Sequence, residues 1–253
     1  MISFTKQGKG NPLILLHGFC ESKEMWQDIS RELAQEHRVY CLDLPGFGDS
    51  QGKSLPQNLE EVAVILQEWM EEQSVYNPII IGHSLGGYVA LALAELMGSE
   101  LRGIGLFHSS AFADDEAKQH TRNKTISFVK KHGVDKFIAS FVPPLFAELH
   151  KSENQEAIDL LIEIGKKTPK ETVLNYIKAM RDRKDRFEVW KTFQGPKLLI
   201  AGELDQAVKI DSSRAHQDFT TAYHELADVG HMGMFEAKEK CLEILKAFLE
   251  QRG

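Results

Sequence analysis

The residues best equipped for chemistry are Gly82-His83-Ser84-Leu85-Gly86, a G-x-S-x-G pentapeptide. It follows the apolar run Pro78-Ile79-Ile80-Ile81 and passes at once into Gly87-Tyr88-Val89-Ala90-Leu91-Ala92-Leu93-Ala94, so the order is strand, sharp turn, helix. In that setting the glycines let strand and helix approach closely, and the serine hydroxyl projects from the carboxyl end of the strand as a nucleophile. A serine hydroxyl is a weak nucleophile at neutral pH until an imidazole takes its proton, and a carboxylate must hold that imidazole in the right tautomer. Both partners stand just beyond later strand-like runs. Gly202-Glu203-Leu204-Asp205 offers Asp205 and Glu203 as acids, and Val229-Gly230-His231 offers His231 as the base, while Asp228 reads as a turn residue. A developing oxyanion needs backbone N–H donors. Leu85, following the serine, supplies one, and Phe19 in His17-Gly18-Phe19, at the end of the run Pro12 to Leu16, supplies the other.

These residues must be held by a sheet. Apolar runs at Pro12–Leu16, Arg38–Leu44, Pro78–Ile81, Leu101–His108 and Pro196–Gly202, with weaker ones at Ile2–Lys6 and Ala222–Leu226, alternate with helical patterns such as Leu59–Glu72 and Ser212–Phe219. The alternation predicts a mainly parallel, doubly wound α/β sheet with chemistry at the carboxyl ends of its strands. The turn-rich loop Pro45-Gly46-Phe47-Gly48-Asp49-Ser50-Gln51-Gly52 has glycines but no G-x-x-x-x-G-K-[ST], so it is not read as a phosphate cradle. Between residues 112 and 186 no strand-like run occurs. Helical patterns follow one another there, broken at Gly133, Pro143-Pro144, Gly165 and Pro169. The expected organisation is therefore a core domain of residues 1–111 and 187–253 with a helical lid of residues 112–186. An insertion at that point lies on the face of the sheet that carries Ser84, so Phe141 and Phe146 from the lid, and His108 beneath it, are expected to contact substrate.

Composition narrows the partners. The chain has 253 residues, 42% hydrophobic and 26% charged, and a net charge of −7, which argues against nucleic acid and anionic membranes as partners. Cys20, Cys41 and Cys241 form no C-x-x-C pair and no even set, and the first apolar run is too short for a signal peptide, so a reducing cytoplasmic setting is expected. The ten histidines show no ligand spacing, so neither metal nor cofactor is expected. Oligomeric state is not readable from the sequence.

Taken in order, His17-Gly18-Phe19, Asp43-Leu44-Pro45-Gly46-Phe47-Gly48-Asp49-Ser50, Gly82 to Gly87, Gly202-Glu203-Leu204-Asp205 and Gly230-His231 resemble the motifs of the α/β-hydrolase superfamily from residue 2 to residue 250. The likeness is to its small bacterial lid-bearing branch of carboxylesterases, enol-lactonases, C–C bond hydrolases and haloperoxidase-like enzymes. The resemblance implies a triad of Ser84, Asp205 and His231, places the acid at Asp205, and gives His17 and His83 the task of shaping loops. It implies hydrolysis of a small to medium apolar carboxylic ester or lactone, with C–C or thioester cleavage, or ligand binding on an inactive scaffold, as alternatives. Ser84 departs from dehalogenases and epoxide hydrolases, which carry Asp there, and the single glycine of His17-Gly18-Phe19 departs from the triple-glycine loops of some lipases.

Overall fold

The computed structural model describes residues 1–50, 52 and 55–250, so Gln51 of the turn-rich loop lies outside the described residues. The first half runs β1 (Phe4–Gln7), β2 (Pro12–Leu16), α1 (Gln27–Leu33), β3 (Arg38–Leu42), α2 (Leu59–Glu72), β4 (Ile79–His83), α3 (Leu85–Met97) and β5 (Gly103–Phe107). Five helices follow without a strand: α4 (Glu116–His132), α5 (Val134–Phe141), α6 (Gln155–Lys166), α7 (Lys170–Arg181) and α8 (Phe187–Thr192). The sheet then resumes with β6 (Lys197–Gly202), α9 (Ile210–Arg214), β7 (Ala222–Leu226), α10 (Gly233–Glu236) and α11 (Lys238–Glu250).

The seven strands lie in the order β1-β3-β2-β4-β5-β6-β7, and every pairing is parallel except that of β1 with β3. Parallel strands covered on both faces cannot alternate polar with apolar residues, which is why β4 and β5 are buried at every position. From β2 the chain steps one way to β3, and from β3 it returns past β2 to β4. Right-handed crossovers therefore place α1 and α2 on opposite faces. α1 packs with α11, and α2 with α3, giving the two outer layers. α2 illustrates the local logic. The Asn58 side chain caps the Glu61 N–H at 2.8 Å, and Leu59, Val62, Ala63, Leu66, Trp69 and Met70 form one buried face.

Two local expectations are corrected. Gly165 does not break a helix; it lies inside α6, where a side chain would come within 2.9 Å of Ile138. It is therefore a close-packing glycine between α6 and α5. The helical stretch expected from Ser212 to Phe219 is instead α9 plus the short 3₁₀ turn Gln217–Phe219. The break falls where the His216 ring Nδ1 reaches the Ser212 carbonyl at 2.8 Å while its Nε2 accepts the Ala111 N–H at 2.9 Å. Among the described residues, no helix is long and apolar enough to cross a membrane.

Candidate active site

The sheet order reverses between β2 and β4, and the carboxyl ends of these neighbouring strands carry His17-Gly18-Phe19 and Ser84. Such a switch point opens a crevice, because the connections leave it in opposite directions. Ser84 sits between β4 and α3 with φ 49° and ψ −113°, a left-handed backbone rarely tolerated by a residue with a side chain. Holding it there costs on the order of 1–3 kcal/mol, which the surroundings must offset. They do so by grasping the peptide. The Ser84 N–H donates to the Phe107 carbonyl at 3.0 Å, and Ser109 Oγ donates to the Ser84 carbonyl at 2.7 Å. A side chain on Gly82 would meet Gly86 backbone at 2.1 Å, so strand and helix can cross this closely only as glycines.

His231 follows β7 and is buried, and its Nδ1 lies 2.7 Å from Asp205 Oδ2 in the loop after β6. Asp205 Oδ1 accepts the N–H groups of Ala207 at 2.7 Å and Val208 at 2.9 Å, so the turn itself orients the carboxylate. Burial alone would raise the Asp205 carboxyl, but the neighbouring His231 outweighs it and holds Asp205 well below the usual carboxylate range. The same pairing works in reverse on His231. Burial opposes its charged form, yet the Asp205 carboxylate raises its pKa above the ordinary 6.5. Glu203, the other acid considered in this loop, points elsewhere in role: its N–H donates to the Leu226 carbonyl at 3.0 Å, and the contact with His231 belongs to Asp205.

The oxyanion donors expected from sequence sit on constrained peptides. His17 Nε2 accepts the Leu44 N–H at 2.9 Å, so its proton is on Nδ1, which donates to the Gly18 carbonyl at 2.7 Å. Burial lowers the His17 pKa, consistent with this neutral form. In a trans peptide C=O and N–H point oppositely, so fixing the Gly18 carbonyl also fixes the direction of the Phe19 N–H. Leu85 is the first residue of α3, where an N–H has no carbonyl of its own helix to bond, whereas the Gly87 and Tyr88 N–H groups fold back onto the Ser84 carbonyl at 3.0 and 3.3 Å.

Of the three residues expected against substrate, Phe141 lies beside the oxyanion loop, its ring centroid 5.8 Å from that of Phe19. The other two are placed differently. Phe146 is buried, its ring 6.2 Å from Phe235. His108 is wholly buried, its Nδ1 3.5 Å from Asp205 Oδ2 at the outer edge of hydrogen-bond reach. Burial pushes its pKa down to about 4, so it stands behind the acid as a neutral ring. His108, Asp205 and His231 also offer ligand atoms within 4.8 Å of one another. The Asp205 oxygens already accept two N–H groups and the His231 ring.

Two residues escaped the sequence reading. Glu21 accepts the Gly18 N–H at 2.6 Å and faces His83 Nδ1 at 3.1 Å. Glu236 accepts the N–H groups of Gly230 and Met232, either side of His231, at 3.0 and 2.9 Å, and that of Ala147 at 2.8 Å. The His231 N–H itself donates to the Leu145 carbonyl at 2.7 Å. The segment joining α5 to α6 is thus fastened directly to the loop of the imidazole. Neither glutamate falls in a motif, and only the spacing of Glu21 three residues after Gly18 could have drawn attention.

Comparison with known proteins agrees with this architecture. A family model described as the alpha/beta hydrolase family matches residues 13–244. The chain is 25% identical over 248 residues to a dihydrolipoyllysine-residue acetyltransferase component of an acetoin cleaving system from Pseudomonas putida, covering 96% of this chain and 64% of that protein. It is 42% identical over 98 residues to a pimeloyl-[acyl-carrier protein] methyl ester esterase from Aeromonas hydrophila, covering 37% of this chain and 35% of that one. It therefore spans less than two thirds of either relative. Among solved structures, a thermophilic esterase from Thermogutta terrifontis superposes with a TM-score of 0.91 at 25% identity, over 99% of this chain and 93% of that one. The enol-lactonase from Burkholderia xenovorans shares the fold with a TM-score of 0.89 at 17% identity, over 98% and 96%. With the reversed sheet order, the strained serine at its switch point and a family match over nearly the whole length, this chain belongs to the alpha/beta hydrolase family.

Proposed function

We propose that the protein is a serine hydrolase that cleaves a small to medium apolar carboxylic ester or lactone through an acyl-enzyme on Ser84. The observation that carries this reading is the left-handed Ser84 backbone at the switch point, together with a buried imidazole whose Nδ1 is already occupied by Asp205 at 2.7 Å. With Nδ1 committed, Nε2 is the nitrogen free to take the Ser84 proton as the hydroxyl attacks the carbonyl carbon and later to deliver it to the leaving alcohol. Asp205 stabilises the imidazolium formed in between. The Phe19 and Leu85 N–H groups meet the oxyanion, a contribution worth about 3–4 kcal/mol per donor. Water then repeats the sequence on the acyl-enzyme.

In this reading residues 112–186 act as the lid, with Phe141 beside Phe19 forming the apolar wall that favours hydrocarbon acyl or alcohol groups. The esterase from Thermogutta terrifontis and the esterase from Aeromonas hydrophila support ester chemistry as the class. The three cysteines are unpaired and buried, which suits a reducing, cytoplasmic setting.

The test is a panel of p-nitrophenyl esters of increasing acyl length together with a fluorophosphonate probe. Wild type should turn over short acyl esters and be labelled on Ser84. Ser84→Ala should lose labelling and lower kcat by as much as about 10⁶-fold while remaining folded. A Ser84→Ala protein that kept a tenth of the wild-type rate would remove Ser84 from the mechanism. Labelling without turnover of any ester would instead favour C–C cleavage or ligand binding on the same scaffold.

A further inference from the structure

Beside His231 lies a second buried acid–imidazole pair that acyl transfer does not itself consume. Glu21 Oε2 accepts the Gly18 N–H at 2.6 Å and lies 3.1 Å from His83 Nδ1, while His83 Nε2 donates to the His231 carbonyl at 3.0 Å. Glu21 is 4% exposed and His83 0%. The His83 and His231 rings stand 4.8 Å apart. A side chain on Gly18 would strike His83 Nδ1 at 2.7 Å and Glu21 Oε2 at 2.8 Å, so the glycine is needed to admit the bridge.

The bridge touches three loops of the site, leaving out that of Asp205. It begins on the peptide preceding the one that presents the Phe19 N–H, passes through the residue adjacent to Ser84, and ends on the backbone of the base. We propose that Glu21 and His83 are positioning residues, which fix the oxyanion loop and the His231 backbone relative to the Ser84 elbow. A carboxylate removed from water is costly unless its lone pairs are satisfied, and an apolar pair of similar volume would hold the fold at least as well. What an apolar pair lacks is direction. Three directed polar contacts set the orientations of Gly18 and His231, and acyl transfer is sensitive to misplacement of its groups by an ångström or less. Glu21 is kept as the carboxylate: burial would raise its pKa, but the adjacent His83 outweighs this and lowers it.

The inference rests on the serine-hydrolase reading, and the two fail separately. Loss of labelling and turnover in Ser84→Ala tests the reading; the inference is tested against an active wild type. Glu21→Gln and His83→Gln are measured with p-nitrophenyl butyrate, each with a thermal unfolding curve. Each should lower kcat by about ten- to a hundredfold while KM stays within about threefold of wild type, because the groups lost orient the transition-state machinery and not the substrate. The double variant should be no slower than the worse single one, since either change opens the same bridge. A folded Glu21→Gln enzyme with kcat within about twofold of wild type, a loss confined to KM, or losses that multiply in the double variant would each overturn it. Should Glu21→Gln fail to fold, the kcat-against-KM comparison in His83→Gln decides alone.

Discussion

The pairing of His231 with Asp205 makes a prediction about pH. In the proposed mechanism His231 takes the Ser84 proton only when its ring is neutral, and its pKa lies above the ordinary 6.5 because of Asp205, with Glu21 and Glu236 contributing in the same direction and His83 and His108 as the other titratable rings beside it. Activity should therefore fall as pH drops through a value above 6.5, and kcat/KM against pH should show that limb. Asp205→Asn should lower kcat on the order of 10⁴-fold by favouring the wrong tautomer, and should move the limb to lower pH by removing the charge that raised it. Measuring both variants' pH–rate profiles checks the assignment: a nearly silent Asp205→Asn beside a damaging Glu203→Gln would transfer the role of acid. At this scale the sequence was legible where residue type and strand end coincide, as for Ser84, Asp205 and His231. It was opaque for Glu21 and Glu236, whose partners are backbone N–H groups that no side-chain pattern records.

Among the elements, the five helices between β5 and β6 depend on docking more than on propensity. α5 ends at Phe141 before Pro143, and the intervening turn leads to the Leu145–Ala147 segment held by His231 and Glu236. The Phe19, Phe137 and Phe141 rings cluster within 6.2 Å of one another over the oxyanion loop. Each buried methylene of an acyl chain contributes about 0.8 kcal/mol until the space is filled, so kcat/KM should rise over the first few carbons and then fall. Phe141→Ala should shift that optimum to longer chains. Phe146→Ala, whose ring packs on Phe235, should act more on stability than on chain-length preference. Superimposable chain-length profiles for wild type and Phe141→Ala would take Phe141 out of the substrate wall. Helix boundaries were legible wherever Gly or Pro followed an apolar periodicity, as at Gly133 and Pro169. Gly165 misled because the same absence of a side chain serves a turn or a tight helix contact, and only the neighbour across the gap distinguishes them.

In the molecule as a whole, the helical segment between β5 and β6 is joined to α2 and α3 through a partly buried polar stem. Arg183 Nη1 donates to Asp114 Oδ1 at 2.5 Å, its guanidinium stacks 4.0 Å from the Tyr88 ring of α3, and Arg186 reaches Glu60 of α2 at 2.7 Å and Glu95 of α3 at 2.9 Å. Removing one member of a buried ion pair commonly costs 3–5 kcal/mol, but Asp114 keeps Arg122 at 3.0 Å. Arg183→Met should therefore cost less, about 1–3 kcal/mol, read as a shift in the denaturant midpoint. A change below about 0.5 kcal/mol would show that the stem carries little of the stability. The sheet order itself was legible only as a class. Continuous apolar runs announce buried parallel strands, but which strand neighbours which is decided by crossover handedness and packing between segments far apart in the chain.

The fastening of Leu145–Ala147 to the His231 loop bears on how this protein could be rebuilt. A helical segment that merely rested on the sheet could be exchanged for that of a relative, with the sheet domain indifferent to the swap. Here the turn after α5 supplies the acceptor for the His231 N–H, and Glu236 accepts the Ala147 N–H. A chimera cut at the ends of residues 112–186 would leave the imidazole loop without one of its anchors. Specificity in this scaffold is therefore better retuned by substitution within the helical segment than by transplanting it whole.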